Sequence, residues 1–447
     1  MLDAVDHGRV RLTTSGTRTT PALWVLTRAL VLVVLFGPES RVVGDVVYFT
    51  HSLRDLSSVG PVDTMPEYPL AALGVVMVPW LAAGALGAVA GYGFVFVACA
   101  LLGDAGFTVL LSRAAGGDRR VAVVAWLVSV PAMGGLAFVR FDIVPGVLVG
   151  VVLLLSATRP RTAALCLALA TSVKLWPALL LPPVLARTRH RRSAVAVVAG
   201  VGAVAVLGTL ALGGWARVLS PLRYQGERGL QVESLAATPL MVLRAVDPAS
   251  YQVVYAHKAY EVLGPDVPAL LVATTVLTVT AVLGLTVVWW RLLRGGRYVD
   301  GDAVVWVSLA AVLALVCTSR VLSPQYLMWV LPAAAAGLVV VSTAGAPRLL
   351  RWTCGLVVAT ALSHAVYPWL YPALAGEEGT TGLAVSVLAV RNLLLLALLV
   401  VAGREAWCAA GRRTAPPAAR PVTEPGGIRS GDGEAPHHRS GAGLRRD

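Results

Sequence analysis

The sequence predicts an all-α polytopic membrane protein. Of its 447 residues, 57% are hydrophobic and only 14% are charged, and the mean hydropathy is +0.75. Soluble domains are roughly half apolar and about a quarter charged. The apolar residues also fall into long runs separated by short arginine-rich groups, which is the pattern of membrane spans joined by cytoplasmic loops.

The net charge of +13 does not indicate nucleic-acid binding, because the basic residues form short groups between apolar runs rather than one stripe with interleaved aromatic residues. The five cysteines are odd in number and widely spaced, so they predict neither a disulfide framework nor a metal cluster. No Walker A, HExxH or CxxC motif occurs, and no GxGxxG follows a strand. Soluble nucleotide chemistry is therefore not expected. If this membrane protein is an enzyme, we expect it to take a lipid-borne substrate from the bilayer.

The positive-inside bias sets the direction of the predicted spans. The first span, 22–36, leads from the cytoplasm to an outer loop, 37–68. If the next apolar stretch, 69–84, also crossed, Arg113 and the basic residues after it would lie outside. We therefore expect 69–84 to lie in the membrane interface as a short helix, and 88–112 to form the second true span.

This interpretation gives about twelve spans with both termini in the cytoplasm. The remaining predicted segments are 121–139, 143–157, the pair 162–173 and 175–186, 193–212, 268–290, 303–318, 327–342, 352–366 and 383–402. The predicted domains are a disordered cytoplasmic N-terminal segment at 1–21, a membrane domain at 22–403, and a disordered basic cytoplasmic tail at 404–447.

The pair of short runs around Lys174 predicts a break in the membrane. Runs of about twelve residues cannot span roughly 30 Å of hydrocarbon as ordinary helices. Both flanks of the pair are basic, so the chain is expected to rise to Lys174 and return, lining a cavity. Lys174 then either extends to the headgroups or pairs with an anion inside the fold, and its place at the apex favours the anion.

Asp45 is the first candidate for chemistry, because it lies in the outer loop within about ten residues of the end of the first apolar run. A partly desolvated carboxylate is more basic than one in water, which suits a general base. The alternatives are a helix cap or an ion pair with Arg41. Arg140 and Asp142 pose a similar choice, since they form either a loop-closing ion pair or part of a site.

Two further outer segments carry candidate ligand-binding residues. The segment YQGERGLQVESLAATP, 224–239, contains Arg228, Gln231 and Glu233, whose side chains suit hydroxyl-rich ligands. The segment SRVLSPQYLMWVLP, 319–332, contains polar residues at the outer entrance of a span, namely Arg320, Ser323, Gln325 and Tyr326. Arginine at this position either grips a phosphate or caps a helix C-terminus. The deeper residues Asp104, Arg391 and Asn392 are expected to be helix-packing partners.

Taken in order, the outer motifs resemble those of the polyprenyl-phosphate-mannose-dependent mannosyltransferases of glycosyltransferase family 87, in the glycosyltransferase C superfamily. The resemblance covers roughly 22–402. It is carried by Asp45 with Tyr48, EYPLAAL at 67–73, RFDIVPGVLVG at 140–150, SVKLWPALLLPPVL at 172–185, RGLQVES at 228–234 and SPQYLMWVLP at 323–332.

The resemblance implies eleven to thirteen spans, interfacial helices in the first outer loop, and an active site on the outer face of a bacterial plasma membrane. It implies transfer of a hexose, with inversion, from a polyprenyl-phosphate sugar to a glycolipid or glycan acceptor. By the same resemblance Asp45 is the general base. The leaving phosphate needs cations, for which Lys174, Arg320 and Arg140 are the candidates.

The remaining expected substrate-binding residues are Tyr68, Arg228, Gln231, Glu233, Gln325 and Tyr326. Many family members have Tyr-Pro-Pro where this chain has Tyr68, Pro69 and Leu70, so the start of the interfacial helix is expected to differ. Some superfamily members use a divalent metal. Glu67 and His51 are candidate ligands here, but no spacing predicts a metal site. The sequence therefore leaves dependence on a divalent metal open and predicts no other cofactor.

Two other classes remain open at the level of sequence. A transporter or lipid flippase would place its polar residues near the midplane between similar halves, whereas most of them here gather on the outer side. A non-catalytic scaffold for envelope synthesis would have an outer cavity without a carboxylate and cation pair.

Overall fold

The computed structural model describes residues 19–294, 299–377 and 381–412. In these ranges the chain forms α-helices, short 3₁₀-helices and one small sheet. The predicted N-terminal segment up to residue 18 and the predicted tail from residue 413 lie outside the described residues. The last helix continues to Ala410, past the predicted start of the tail at residue 404.

The helices follow the apolar runs. Their bounds are α1 Thr19–Phe36, α2 Gly44–Arg54, α3 Leu56–Asp63, α4 Leu70–Ala85, α5 Tyr92–Ala115, α6 Arg120–Met133, α7 Leu136–Val139, α8 Ile143–Leu155, α9 Pro160–Val173, α10 Leu181–Arg187, α11 Arg191–Glu227, α12 Thr238–Val246, α13 Val267–Arg294, α14 Gly301–Thr318, α15 Leu331–Val340, α16 Ala346–His364, α17 Tyr371–Ala375 and α18 Thr381–Ala410.

The all-α polytopic class is confirmed. Among the described residues, 7 helical segments are long and apolar enough to cross a membrane, and shorter apolar helices include α4, α6, α8 and α9. The number of spans and the interfacial position of α4 stay predictions. At the centre lies α14, which is apolar on every face and packs against α13, α15 and α18.

The break at Lys174 occurs where it is expected. Lys174 leaves the helical conformation with φ −144° and ψ 141°, between α9 and a 3₁₀-helix at Trp176–Leu180. At the other end of this segment Arg161 donates to the Ser193 hydroxyl at 2.7 Å, which joins the starts of α9 and α11. The chain between them therefore rises to Lys174 and returns.

A small antiparallel sheet lies in the stretch between α11 and α13. Its strands are β1 Leu230–Gln231, β2 Gln252–Ala256 and β3 Ala259–Leu263, in the order β1-β3-β2. The hydropathy pattern shows only a gap here, between the predicted spans 193–212 and 268–290, because strands this short give little periodic signal. His257 and Lys258 form the two-residue turn between β2 and β3, with φ of 48° and 62°.

Arg217 fixes the first outer loop to α11. Its buried guanidinium donates to backbone carbonyls at the C-terminal end of that loop: Tyr68 at 2.9 Å, Pro61 and Met65 at 3.3 Å, and Thr64 at 3.4 Å. A kink in α11 at Gly214, with φ 63°, precedes this arginine. Carbonyl oxygens withdrawn from water need such donors, so this one side chain holds the approach to α4 in place.

We predict that Arg217→Met lowers the free energy of unfolding by about 2 to 4 kcal/mol, because several carbonyls lose a charged donor. Denaturant unfolding in detergent measures the change. The exposed Arg223 on the same helix supplies the control, and Arg223→Met should leave stability within about 0.5 kcal/mol. Equal effects of the two substitutions would contradict this role.

Candidate active site

A cavity of about 530 Å³ lies where the connections at one end of the helices meet. Of the ten residues predicted for the site, nine line it: Asp45, Tyr68, Arg140, Lys174, Arg228, Gln231, Glu233, Gln325 and Tyr326. Arg320 does not line it. The cavity therefore joins stretches of chain that lie far apart in sequence.

Asp45 occupies the first turn of α2 and forms an ion pair with Arg140, which follows α7. Its partner is thus not Arg41. The carboxylate thus lies between the first turn of a helix and a guanidinium, both of which attract negative charge. Both side chains keep some exposure to the cavity, so the carboxylate is available to a substrate there.

Lys174 pairs with an anion inside the fold, as its place at the apex favours. Its ammonium lies 2.5 Å from Asp142 Oδ1, which also accepts from the Trp329 indole at 2.6 Å. The expected alternative of an ion pair between Arg140 and Asp142 is wrong, since each is paired with a residue from another element. Four aromatic rings surround the ammonium at 5.0 to 5.8 Å, those of Phe141, Trp329, Tyr68 and Tyr326.

Glu233 is hydrogen-bonded by two residues of the last helix, α18. Arg391 on α18 donates to its carboxylate at 3.1 Å and to its carbonyl at 3.2 Å, and Asn392 donates to the same carbonyl at 3.2 Å. Arg391 and Asn392 thus pack a helix against the site. Burial raises the pKa of the Glu233 carboxyl to about 7, against the opposing charge of Arg391.

Gln231 and Arg320 share a structural role. The Gln231 side-chain carbonyl accepts from the Leu322 backbone amide at 2.8 Å, and the Gln231 backbone amide donates to the Arg320 carbonyl at 3.0 Å. The Arg320 guanidinium donates to the carbonyls of Gly226 and Arg228 at 3.0 and 3.2 Å. The expectation that Arg320 binds phosphate is not supported by this placement, because its side chain fastens the end of α11 instead.

Sequence reasoning missed Lys258, which the sheet brings to the cavity. Its ammonium lies 2.8 Å from Glu67 Oε1 and 3.6 Å from the centre of the Tyr48 ring. Trp176 also lines the cavity and stacks on Trp329, with ring centres 5.2 Å apart. A lysine at a hairpin turn gives no recognisable pattern in a single sequence, because its partner is 191 positions away.

Metal ligation is not supported by the donor set. Glu67, one of two possible ligands, has its Oε1 bound to Lys258. Within the described ranges no three His, Cys, Asp or Glu side chains are grouped so as to hold an ion.

The arginine-rich connections lie at the opposite end of the helices. The central helix α14 starts beside Ser342, whose amide donates to Asp302 at 2.6 Å, and ends at Thr318, just before the cavity-lining segment 323–326. Other contacts at the arginine-rich end are Arg119 to the Val341 carbonyl at 2.7 Å and Arg348 to Glu405 at 2.9 Å.

Comparison with known proteins gives one family. The sequence profile of glycosyltransferase family 87 matches residues 61–319, more than half of the chain. No curated protein and no solved structure matches.

We predict that Glu233→Gln changes how stability depends on pH. The pKa of Glu233 is raised in the folded protein, from 4.5 to about 7, so the native state holds this proton more tightly than the unfolded chain. The resulting stability is complete below pH 4.5 and is lost as the pH rises to about 7. Glutamine does not titrate, so the melting temperature of the variant relative to the parent should rise between pH 5 and pH 8.

The exposed Glu227, at the end of α11, gives the matched control, because Glu227→Gln should show a difference that does not vary with pH over this range. If the Glu233→Gln difference is equally flat, the carboxyl titrates at its ordinary value and the argument from burial is wrong.

Proposed function

The chain belongs to glycosyltransferase family 87 and is a membrane glycosyltransferase; from this premise we propose that it moves a sugar from a polyprenyl-phosphate donor to a glycolipid or glycan acceptor of the cell envelope. Mannose is the proposed sugar, on the motif resemblance described above. The proposed location is the outer face of a bacterial plasma membrane, because the cavity lies at the end of the helices opposite the arginine-rich connections.

The proposal rests chiefly on the meeting of the Asp45 carboxylate with several cations in one cavity. Asp45 faces the same space as Arg140, Lys174 and Arg228. Glycosyl transfer from a phosphate needs a base for the acceptor hydroxyl and positive charge for the departing phosphate. A transporter needs no base for a hydroxyl, and the family match supports the enzyme.

In the proposed reaction Asp45 accepts the proton of an acceptor hydroxyl. The hydroxyl oxygen forms a bond to the anomeric carbon while the bond from that carbon to the phosphate oxygen breaks, and polyprenyl phosphate leaves with the electron pair. Attack opposite the leaving group inverts the configuration. Arg140 orients Asp45 through their ion pair, and Arg140, Lys174 and Arg228 stabilise the charge on the leaving phosphate.

We predict that Asp45→Asn lowers sugar transfer at least about 100-fold, because asparagine cannot take the proton. Transfer from radiolabelled polyprenyl-phosphate mannose to membrane lipid extract, with purified protein in lipid, measures it. The control is Asp55→Asn, an exposed carboxylate in the same outer loop that does not line the cavity. Parental rates in Asp45→Asn would show that another group is the base.

Two of the three predicted phosphate cations, Lys174 and Arg320, should behave differently. We expect Lys174→Met to raise the KM for the donor about tenfold or more, since the cavity loses a cation. Arg320→Gln should leave that KM unchanged, because the arginine binds backbone carbonyls outside the cavity. Steady-state kinetics over a range of donor concentrations measures both. A larger effect of Arg320→Gln would place the phosphate elsewhere.

A further inference from the structure

Glu67 has one carboxylate oxygen paired and one free. The residue is only 8% exposed, yet it lines the cavity. Its Oε1 accepts from Lys258, whereas its buried Oε2 has no hydrogen-bond partner among the described residues. The Tyr48 hydroxyl lies beside this carboxyl, and the pKa of that phenol is raised by its own burial, by the charge of Glu67 and by its contact with the Glu67 side chain. That contact does not have the geometry of a hydrogen bond to Oε2. A buried carboxylate oxygen without a donor costs free energy unless something supplies one.

Three hydrogen-bond donors in the same cavity lack an acceptor, just as Glu67 Oε2 lacks a donor. Arg140 Nε, Trp176 Nε1 and Arg228 Nε are buried, and none has an acceptor in the described part of the chain. All three residues line the cavity with Glu67. A phosphate anion satisfies cationic donors but has no hydrogen to donate to Glu67 Oε2. A hydroxyl-bearing ring satisfies both, since each hydroxyl donates one hydrogen bond and accepts others.

We propose that Glu67 determines specificity by accepting a hydrogen bond, through Oε2, from one hydroxyl of a substrate sugar. This assignment rests on the proposed function and names a contact within it. The other cavity carboxylates are less suited to the role. Asp45 has the role of base in the proposed reaction, and among the described residues the buried carboxylate oxygen without a hydrogen-bond partner belongs to Glu67 and not to Glu233.

Lys258 is the positioning residue for this contact. Its ammonium binds Oε1 and thereby leaves Oε2 as the oxygen without a partner. The turn that presents Lys258 has two residues with positive φ and neither is glycine or asparagine, which is a costly choice for a hairpin. We infer that the lysine is retained at this strained position because its side chain reaches Glu67.

The charge of Lys258 makes the outcome of Glu67→Gln specific. The amide oxygen of glutamine must face the ammonium, because the amide nitrogen is a donor like the ammonium itself. The nitrogen then takes the place of Oε2. The substitution thus converts a hydrogen-bond acceptor in the cavity into a donor, with little change of shape.

Deoxyfluoro sugars test this reversal, since fluorine replaces a hydroxyl of similar size but has no proton to donate. Parent and Glu67→Gln proteins in lipid are assayed with a short-chain polyprenyl-phosphate mannose and its single deoxyfluoro analogues, with membrane lipid extract as acceptor. A second arm uses octyl mannoside and its deoxyfluoro analogues as acceptors. For each ring position, the selectivity of a protein is its kcat/KM for the hydroxyl compound divided by its kcat/KM for the fluoro analogue. Comparing the selectivity of the parent with that of the variant removes the intrinsic effect of fluorine on reactivity.

We expect the selectivity of Glu67→Gln to be at least about tenfold lower than that of the parent at one ring position, in one arm only. The arm that responds tells whether the hydroxyl belongs to the transferred sugar or to the acceptor. Glu405→Gln is the matched control, because Glu405 is also ion-paired, to Arg348 at 2.9 Å, but at the arginine-rich end. It should leave every ratio unchanged.

Equal ratios in parent and variant at all positions of both arms would overturn the assignment. So would a uniform loss of transfer in Glu67→Gln with unchanged selectivity, which is the behaviour of a base or of a merely structural residue. The parent alone offers a second test, since fluorine tolerated as well as hydroxyl everywhere would also overturn it. Failure of the parent to transfer the unmodified sugar would instead refute the proposed function.

Discussion

Two opposite charges on either side of Phe141 hold the cavity together. Arg140 and Asp142 do not pair with each other, although they are two positions apart, because Arg140 binds Asp45 and Asp142 binds Lys174. One short connection between α7 and α8 therefore ties the first outer loop to the apex of the broken pair of helices. A buried charge without its partner is costly, so these pairs fix the relative positions of the elements that carry them.

The same principle extends to the rest of the cavity wall. Glu67 is paired with Lys258 from the hairpin, and Glu233 with Arg391 from the last helix. Each carboxylate that faces the cavity is thus positioned by a cation from a different part of the chain. Such an arrangement keeps several charges fixed in an environment of low polarity, where they act on a reacting group more strongly than they would in water.

The sequence predicted the members of the site better than their partners. Lys174 and Asp45 are conspicuous, because charged residues are rare in and beside apolar runs, and both line the cavity. Their partners depend on the approach of distant segments, which one sequence does not reveal. Arg320 resembles a phosphate-binding residue at the entrance of a span, yet the backbone carbonyls of the α11 end occupy its guanidinium. The sheet between α11 and α13 was missed for a similar reason, since its strands are short and lie in a polar stretch.

The central claim is that the cavity binds a polyprenyl phosphate through Arg140, Lys174 and Arg228. Cryo-electron microscopy of the protein in nanodiscs with added polyprenyl phosphate tests it most directly. The account predicts phosphate density within hydrogen-bonding distance of at least one of these three cations, and phosphate bound instead at the arginine-rich end of the helices would contradict it.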